Sequence, residues 1–351
     1  MPRWTGALAL AVIGCASQAP TSERIGASEE RIIKGTPSTS DQDDVVLIAW
    51  NLLDKDEQVC SGELVAKNLV LTAHHCVGDL DERTNVVTLK APSALRIYIG
   101  ADAPRHIAAG TSAAKGKQIL TVDDSQLQPD LAFIVLDRQV DAPIAPIRLN
   151  GGAKAKENLT IVGFGITEAG YLPSRRMQRT GVSVLEVGPG MTDDGDMLAK
   201  GEFVFGEAAC SGDSGGPAFS ASSKAVVGVA SRVGNGTQPT DQDPAAFCIG
   251  TGTEDVYTAL SASTDLVKRA FTAAGATMYL EGQSAPPSTT GDGTDSSDPS
   301  ASSADGGAEP DTKTSESIPN AGCNASPRAP APLGAIGIAL AGLAFVRRRR
   351  R

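Results

Sequence analysis

The chain has 351 residues, 41% of them hydrophobic and only 4% aromatic, with a formal net charge of −10. That is enough apolar material for one large domain or two small ones, which excludes a chain disordered throughout. Arg347 to Arg351 cluster at the extreme C-terminus, so the rest carries about −15 and offers no basic stripe for nucleic acid; the acidic excess suits a soluble, exported protein.

From the N-terminus, Arg3 precedes a short apolar run, GALALAVIGC, ending at Cys15, and residues 1–15 have the layout of a secretory signal. Val12, Ile13, Gly14 and Cys15 also resemble a bacterial lipobox, whose cysteine is lipidated; ordinary cleavage near Ala16, leaving no lipid, is the alternative. Beyond this point many short Val/Ile/Leu runs, punctuated by Gly, Asn, Asp and Ser, predict strands and turns, so the fold class is all-β. The stretch LVLTAHHCVG, residues 69–78, sets His74 and His75 directly before Cys76, and the remaining histidine is His106. In QPDLAFIVLD an aspartate, Asp130, enters an apolar strand from Phe133 to Leu136. Burying it alone is costly, so a partner is expected. Asp137, at the far end, reads as a surface residue or turn former.

Further along, GEAACSGDSGGPAF, residues 206–219, puts glycines on both sides of Ser214. They let the backbone turn sharply and bring amide N–H groups close to a substrate carbonyl, before Pro217 and Phe219 resume a β run. Residues 263–274, STDLVKRAFTAA, begin with capping candidates and stop before Gly275, which predicts a short helix. Residues 281–322 are dominated by Ser, Thr, Gly, Pro and Asp and read as a flexible linker. Cys323, an apolar segment from Leu333 to Val346 and the arginine cluster close the chain over 323–351. That apolar segment, as a helix, spans about 21 Å against a hydrocarbon core of roughly 30 Å. The order of cysteine, short span and arginines resembles the sorting signals processed by myxosortase-type enzymes, with a plain membrane tail anchor as the alternative; both leave the folded part outside the cytoplasm.

Setting Cys15 and Cys323 aside leaves Cys60, Cys76, Cys210 and Cys248. Four thiols in an oxidising compartment make two bridges in one of three connectivities, and local pairing, Cys60 with Cys76 and Cys210 with Cys248, is the simplest. No cofactor is implied, and a metal is disfavoured: no pair has zinc-finger spacing, and adjacent histidines do not easily point at one ion.

A serine hydroxyl is a poor nucleophile until a base takes its proton, and histidine suits that role near neutrality. GDSGG satisfies the G-x-S-x-G pattern of α/β-hydrolases, but that fold puts its histidine after the serine, and none follows Ser214. The subtilisin order begins with aspartate. Here the order is histidine, aspartate, serine.

With these residues in view, the chain from 32 to about 280 resembles the trypsin/chymotrypsin-like serine proteases. The family's TAxHC motif is matched by Thr72, Ala73, His74, His75 and Cys76, its DIALLxL element by Asp130, Leu131 and Ala132 with the strand that follows, and its serine motif by CSGDSGGP. The resemblance implies two antiparallel Greek-key β-barrels, an active site in the cleft between them and a short C-terminal helix. It makes His75 the base, Asp130 its orienting carboxylate, Ser214 the nucleophile, and the N–H groups of Gly212 and Ser214 the oxyanion hole. A Cys76–Cys60 bridge would hold the imidazole in register. His74 is then expected on the opposite side, partly exposed and without function.

RIIKG, residues 31–35, resembles the junction at which family zymogens are cut. An activating protease cutting after Arg31 would remove a propeptide, residues 16–31, with any lipid on Cys15, and free the amine of Ile32 to pair with a buried Asp213. By resemblance Ala208 is the base of the specificity pocket and Ser231, Arg232 and Val233 its wall, while Asp255 faces the pocket, where it would attract Lys or Arg side chains. A small aliphatic preference, with Asp255 capping a turn, is the alternative. The expected function is an exported or surface-anchored serine endopeptidase acting on protein or peptide substrates. An inactive homologue serving as a surface binding module, or an esterase on the same scaffold, are the competing classes.

Overall fold

The computed structural model describes residues 32–286 apart from 52–57, 82, 85, 124–127, 168–174 and 193–194. The signal, the propeptide with Arg31, most of the linker and the C-terminal anchor, with Cys15 and Cys323, lie outside the described residues. No helix among the described residues is long and apolar enough to cross a membrane.

Short runs of β-branched and aliphatic residues form strands because they fit a pleated, buried surface. Six of them close into a barrel in the order Val45–Trp50, Gln58–Ala66, Leu69–Thr72, Ala132–Leu136, Ala114–Thr121, Arg96–Tyr98, the last pairing back onto the first. Strand VVLIAW explains its own lack of polar alternation. Val46 and Ile48 pack with Leu64, Val70 and Ile134 on one face, while Leu47 and Ala49 pack with Leu71 and Phe133 on the other. Both faces are buried, so both must be apolar.

The second half is an antiparallel sheet of eight strands that curls into a half-barrel. Its order is Thr36–Pro37, Met177–Ser183, Asn158–Gly163, Pro217–Ser220, Val226–Gly234, Glu254–Ala259, Glu202–Phe205, Glu186–Val187. Phe203, Phe205 and Tyr257 form its aromatic centre, with ring centroids 5.0 to 5.7 Å apart. Helix Thr264–Ala274 buries Leu266, Val267, Ala270 and Phe271 against a cluster that includes residues of both halves, such as Phe133 and Val229, and stops at Gly275. A second helix, Ala103–Ala109, has no counterpart in the sequence reading; Pro104 in its first turn and Gly110 at its end bound it.

One buried guanidinium fastens the N-terminal segment to the two halves. Arg176 donates to Ser38 Oγ at 2.7 Å, Thr39 O at 2.7 Å, Val45 O at 3.0 Å and Asp43 Oδ1 at 2.9 Å. Asp44 and Glu63 are buried beside it. Burial pushes the Asp44 carboxyl up to about 6. Burial, reinforced by repulsion from Asp44, pushes Glu63 well above the usual range, and Arg176 compensates only in part.

Candidate active site

Strand Leu69–Thr72 leads through Ala73 into a single helical turn, His74–Val77. Cys76 in that turn is bonded to Cys60, their Cα atoms 6.1 Å apart, which fixes the backbone beside His75 to strand Gln58–Ala66. Asp130 lies two residues before strand Ala132–Leu136, and the pairing of Thr72 with Ala132 sets the two strand ends side by side. His75 Nδ1 stands 2.8 Å from Asp130 Oδ2, and the His75 amide donates to Asp130 Oδ1 at 3.0 Å. From the other half of the molecule, Ser231 Oγ donates to Asp130 Oδ2 at 2.7 Å.

These contacts decide both charges. Burial alone would raise the pKa of Asp130, but His75 and the hydrogen bonds outweigh it and hold the carboxyl below its ordinary value. Burial alone would lower that of His75, but the Asp130 charge prevails over it and over the nearby Lys90, so the imidazole titrates above its ordinary value. Lys90 is held at a distance of 2.6 Å by Asp79 and lies 4.8 Å from the centre of the Trp50 ring. With Nδ1 facing Asp130, Nε2 is the ring nitrogen left for chemistry. The His75 side chain is 17% exposed, open to a reactant.

His74 departs from expectation. It is not a partly exposed residue but is buried, at 1% exposure, with Gly78 close to its ring. The helical turn explains this, since consecutive side chains there diverge by about 100° and His74 is directed into the protein while its neighbour meets Asp130.

Ser214 arrives from the second half, in the loop between Cys210 and strand Pro217–Ser220. The Ser61 amide donates to Ser214 O at 2.9 Å, Ser61 Oγ donates to Gly212 O at 2.9 Å, and Cys76 Sγ lies 3.6 Å from Ser214 O. Gly215 has φ +76°, and a Cβ there would lie 2.6 Å from Ser61 O and 2.8 Å from Ala73 N. The loop therefore rests directly on the strand end that leads into His75, and only glycine fits. Within it the Asp213 amide is spent on Cys210 O at 3.0 Å, whereas those of Gly212 and Ser214 donate to no described residue.

Asp213 points away from this surface into the protein. Its carboxylate accepts the amides of Gly165 at 2.8 Å and Cys210 at 3.0 Å, and it packs so closely on Gly165 that a Cβ there would meet the Asp213 amide nitrogen at 2.8 Å. Burial pushes its pKa up to about 7, against which the two amides are insufficient. Ile32, the start of the described chain, is buried in the same half with Phe205, Ala208 and Ala209.

Ala208 is fully buried, Ser231 is occupied with Asp130, and Val233 pairs in register with Asp255. Asp255 lies inside strand Glu254–Ala259, which overturns the turn-capping alternative: sheet pairing to Phe205 and Val233 takes the residue out of the preceding turn. Its side chain is 1% exposed; the Ala209 amide donates to Oδ2, Oδ1 accepts no hydrogen bond among the described residues, and burial drives its pKa well up. The Cys210–Cys248 bridge, Cα atoms 5.4 Å apart, ties the serine loop to the segment before that strand. The sequence reading puts Ser231 only in a pocket wall; its bond to Asp130 spans 101 residues and leaves no local signal.

Cys60, His75 and Cys76 offer sulfur and nitrogen atoms within 4.8 Å of one another, but the two sulfurs are bonded together, so the thiolates that a metal would need are absent from this set.

An all-β fold of a closed barrel and a half-barrel, with an imidazole–carboxylate pair on one and a glycine-flanked serine loop from the other, defines the chymotrypsin class of architecture. Comparison with known families makes the assignment specific. The Trypsin family matches residues 32–249, and the chain belongs to that family. It is similar to Trypsin CFT-1 of Choristoneura fumiferana, with 26% identity over 239 residues, covering 64% of this chain and 88% of that protein.

Proposed function

We propose that this protein is a serine endopeptidase, exported, held at the cell surface and made as a zymogen. The observation that carries the reading is the His75–Asp130 pair, 2.8 Å apart, beside a serine loop whose Ser214 carbonyl is bonded to the same disulfide-braced segment. His75 Nε2 takes the proton of Ser214 Oγ as that oxygen attacks the scissile carbonyl. Asp130 holds the tautomer and stabilises the imidazolium. The free amides of Gly212 and Ser214 receive the oxyanion, each lowering the barrier by about 3 to 4 kcal/mol. The imidazolium then protonates the leaving amine, and water, deprotonated by the same nitrogen, releases the acyl group.

Activation is read from Asp213, a buried carboxyl with no cation among its interactions with the described residues. A cut after Arg31 would create an ammonium at Ile32, the natural partner for that charge. For the pocket, the unpartnered Oδ1 of Asp255 favours a Lys or Arg side chain next to the scissile bond. Arginyl, alanyl and phenylalanyl peptide amides test this, and cleavage of the alanyl substrate alone would assign a small aliphatic preference. Export rests on residues 1–15 and surface retention on the C-terminal segment with Cys323, Cys15 and its lipid being lost with the propeptide.

The decisive experiment is labelling of the processed protein by a fluorophosphonate probe, with Ser214→Ala as control. Labelling that disappears in the variant, with peptide hydrolysis, supports the reading. A processed protein that neither labels nor cleaves is a binding module, and one that turns over simple esters but not peptides is an esterase.

A further inference from the structure

Arg179, in strand Met177–Ser183, donates through Nη1 to Ile33 O at 3.1 Å and to Glu207 O at 2.5 Å. Glu207 in turn pairs with Lys34 Nζ at 2.5 Å and accepts the Gly250 amide at 2.6 Å. It directly precedes Ala208 and Ala209, the second of which donates its amide to Asp255. Two side chains thus tie together the segment starting at Ile32, the residues read as the pocket base, and the loop before the Asp255 strand.

The segment being tied is not a relaxed one. Ile32 has φ +52° and Lys34 φ +60°, in the left-handed region, which a β-branched residue rarely enters. Such conformations persist only where the surroundings over-determine them, and they gather at switch regions. Here the surroundings are explicit. Ile32 packs with Ala208 and Ala209, Ile33 packs around the Cys210–Cys248 bridge, and Arg179 and Glu207 close over both ends of the turn. Lys34 is largely exposed, so its ion pair is the weaker strand of the clasp; the half-buried Arg179 bonds are the stronger.

We propose that Arg179 and Glu207 are positioning residues that hold the segment beginning at Ile32 against Ala208–Ala209, and thereby set the shape of the substrate pocket without touching substrate. This rests on the protease reading above. A loosened pocket loses binding common to ground and transition states, which raises KM and leaves kcat in place.

The test uses the processed full chain carrying Arg179→Met, Arg179→Lys or Glu207→Gln, with steady-state hydrolysis of a peptide amide, fluorophosphonate titration and hydrogen exchange. Arg179→Met should raise KM about tenfold with kcat within about twofold and full labelling of Ser214, and Arg179→Lys should restore most of it. Glu207→Gln, which keeps an acceptor for Gly250, should show a smaller rise, about threefold. Exchange should speed up at Gly35, whose amide donates to Ile32 O at 2.5 Å, and at Ala209, with the six-stranded barrel unchanged. An unchanged KM with unchanged exchange overturns the proposal, as does a loss of kcat and labelling with KM intact. If even the unsubstituted protein neither labels nor cleaves, the protease reading has failed, and the exchange pattern alone still decides whether the clasp holds this segment.

Discussion

Two buried carboxylates, one from each half of the molecule, have opposite fates. Asp130 sits beside the closed barrel with an imidazole, an amide and a hydroxyl around it, and is held ionised below its ordinary pKa. Asp213, in the serine loop of the half-barrel, has two amides among the described residues, and burial lifts it to about 7. The difference is a cation. The half of the site that holds the base pairs its carboxylate with an imidazole, whereas the half that holds the nucleophile buries a carboxyl for which the described residues supply no cation.

Removing the paired carboxylate should have the largest effect. Asp130→Asn is expected to lower kcat on the order of 10⁴-fold, the scale for losing the carboxylate of such a triad, and single-turnover kinetics on the processed protein measures it. On the side of the nucleophile, Arg31→Gln should leave an uncut protein whose kcat/KM is lower on the order of 10² to 10³-fold, as when one oxyanion donor is lost, because no ammonium at Ile32 pairs with Asp213 to brace the loop amides beside it. Full activity in the uncut protein would erase the contrast between the two carboxylates.

The pH dependence sharpens the same comparison. His75 must be neutral to act as base, and Asp130 raises its pKa, so the acid limb of kcat/KM should have its midpoint above the ordinary histidine value of about 6.5. The stability that protonated His75 contributes is fully present below that ordinary value and is lost as pH rises through the raised one. Asp130 behaves oppositely: its contribution is present above the ordinary carboxylate value and is lost as pH falls through the lowered one. Asp213, raised to about 7, favours the neutral form, so the uncut protein should lose stability as pH rises from about 4 through 7; after the cut that loss should shrink, which a Tm series against pH on both forms would reveal.

The smallest effect is expected away from the cleft. Glu63, buried against Asp44 and raised well above the usual range, also destabilises the fold as pH rises. Glu63→Gln mimics its neutral form and should stabilise the protein by about 1 to 2 kcal/mol at pH 8 and leave it unchanged at pH 4, read by denaturant unfolding at the two pH values. A loss at pH 8 would mean that the ionised Glu63 is a needed partner of Arg176.

Much of this molecule is legible in its linear order because the relevant signals are local. Turn chemistry around Ser214, the apolar strand after Asp130 and the cysteine beside His75 each lie within a few residues, and the short apolar runs that become strands identify an all-β chain. The terminal segments 1–31 and 287–351, outside the described residues, are read from composition, layout and resemblance in the sequence alone.

What only the tertiary structure decided is where charge and burial coincide. The Ser231 hydroxyl reaches Asp130 across 101 residues, Arg176 gathers acceptors from the N-terminal segment, His74 is turned inward beside a partly exposed neighbour, and Asp255 is held in a strand instead of a turn. A residue's type and spacing state what it is able to do. Its pKa and its partners depend on which distant atoms exclude water from it, and strand register between segments far apart in sequence sets that.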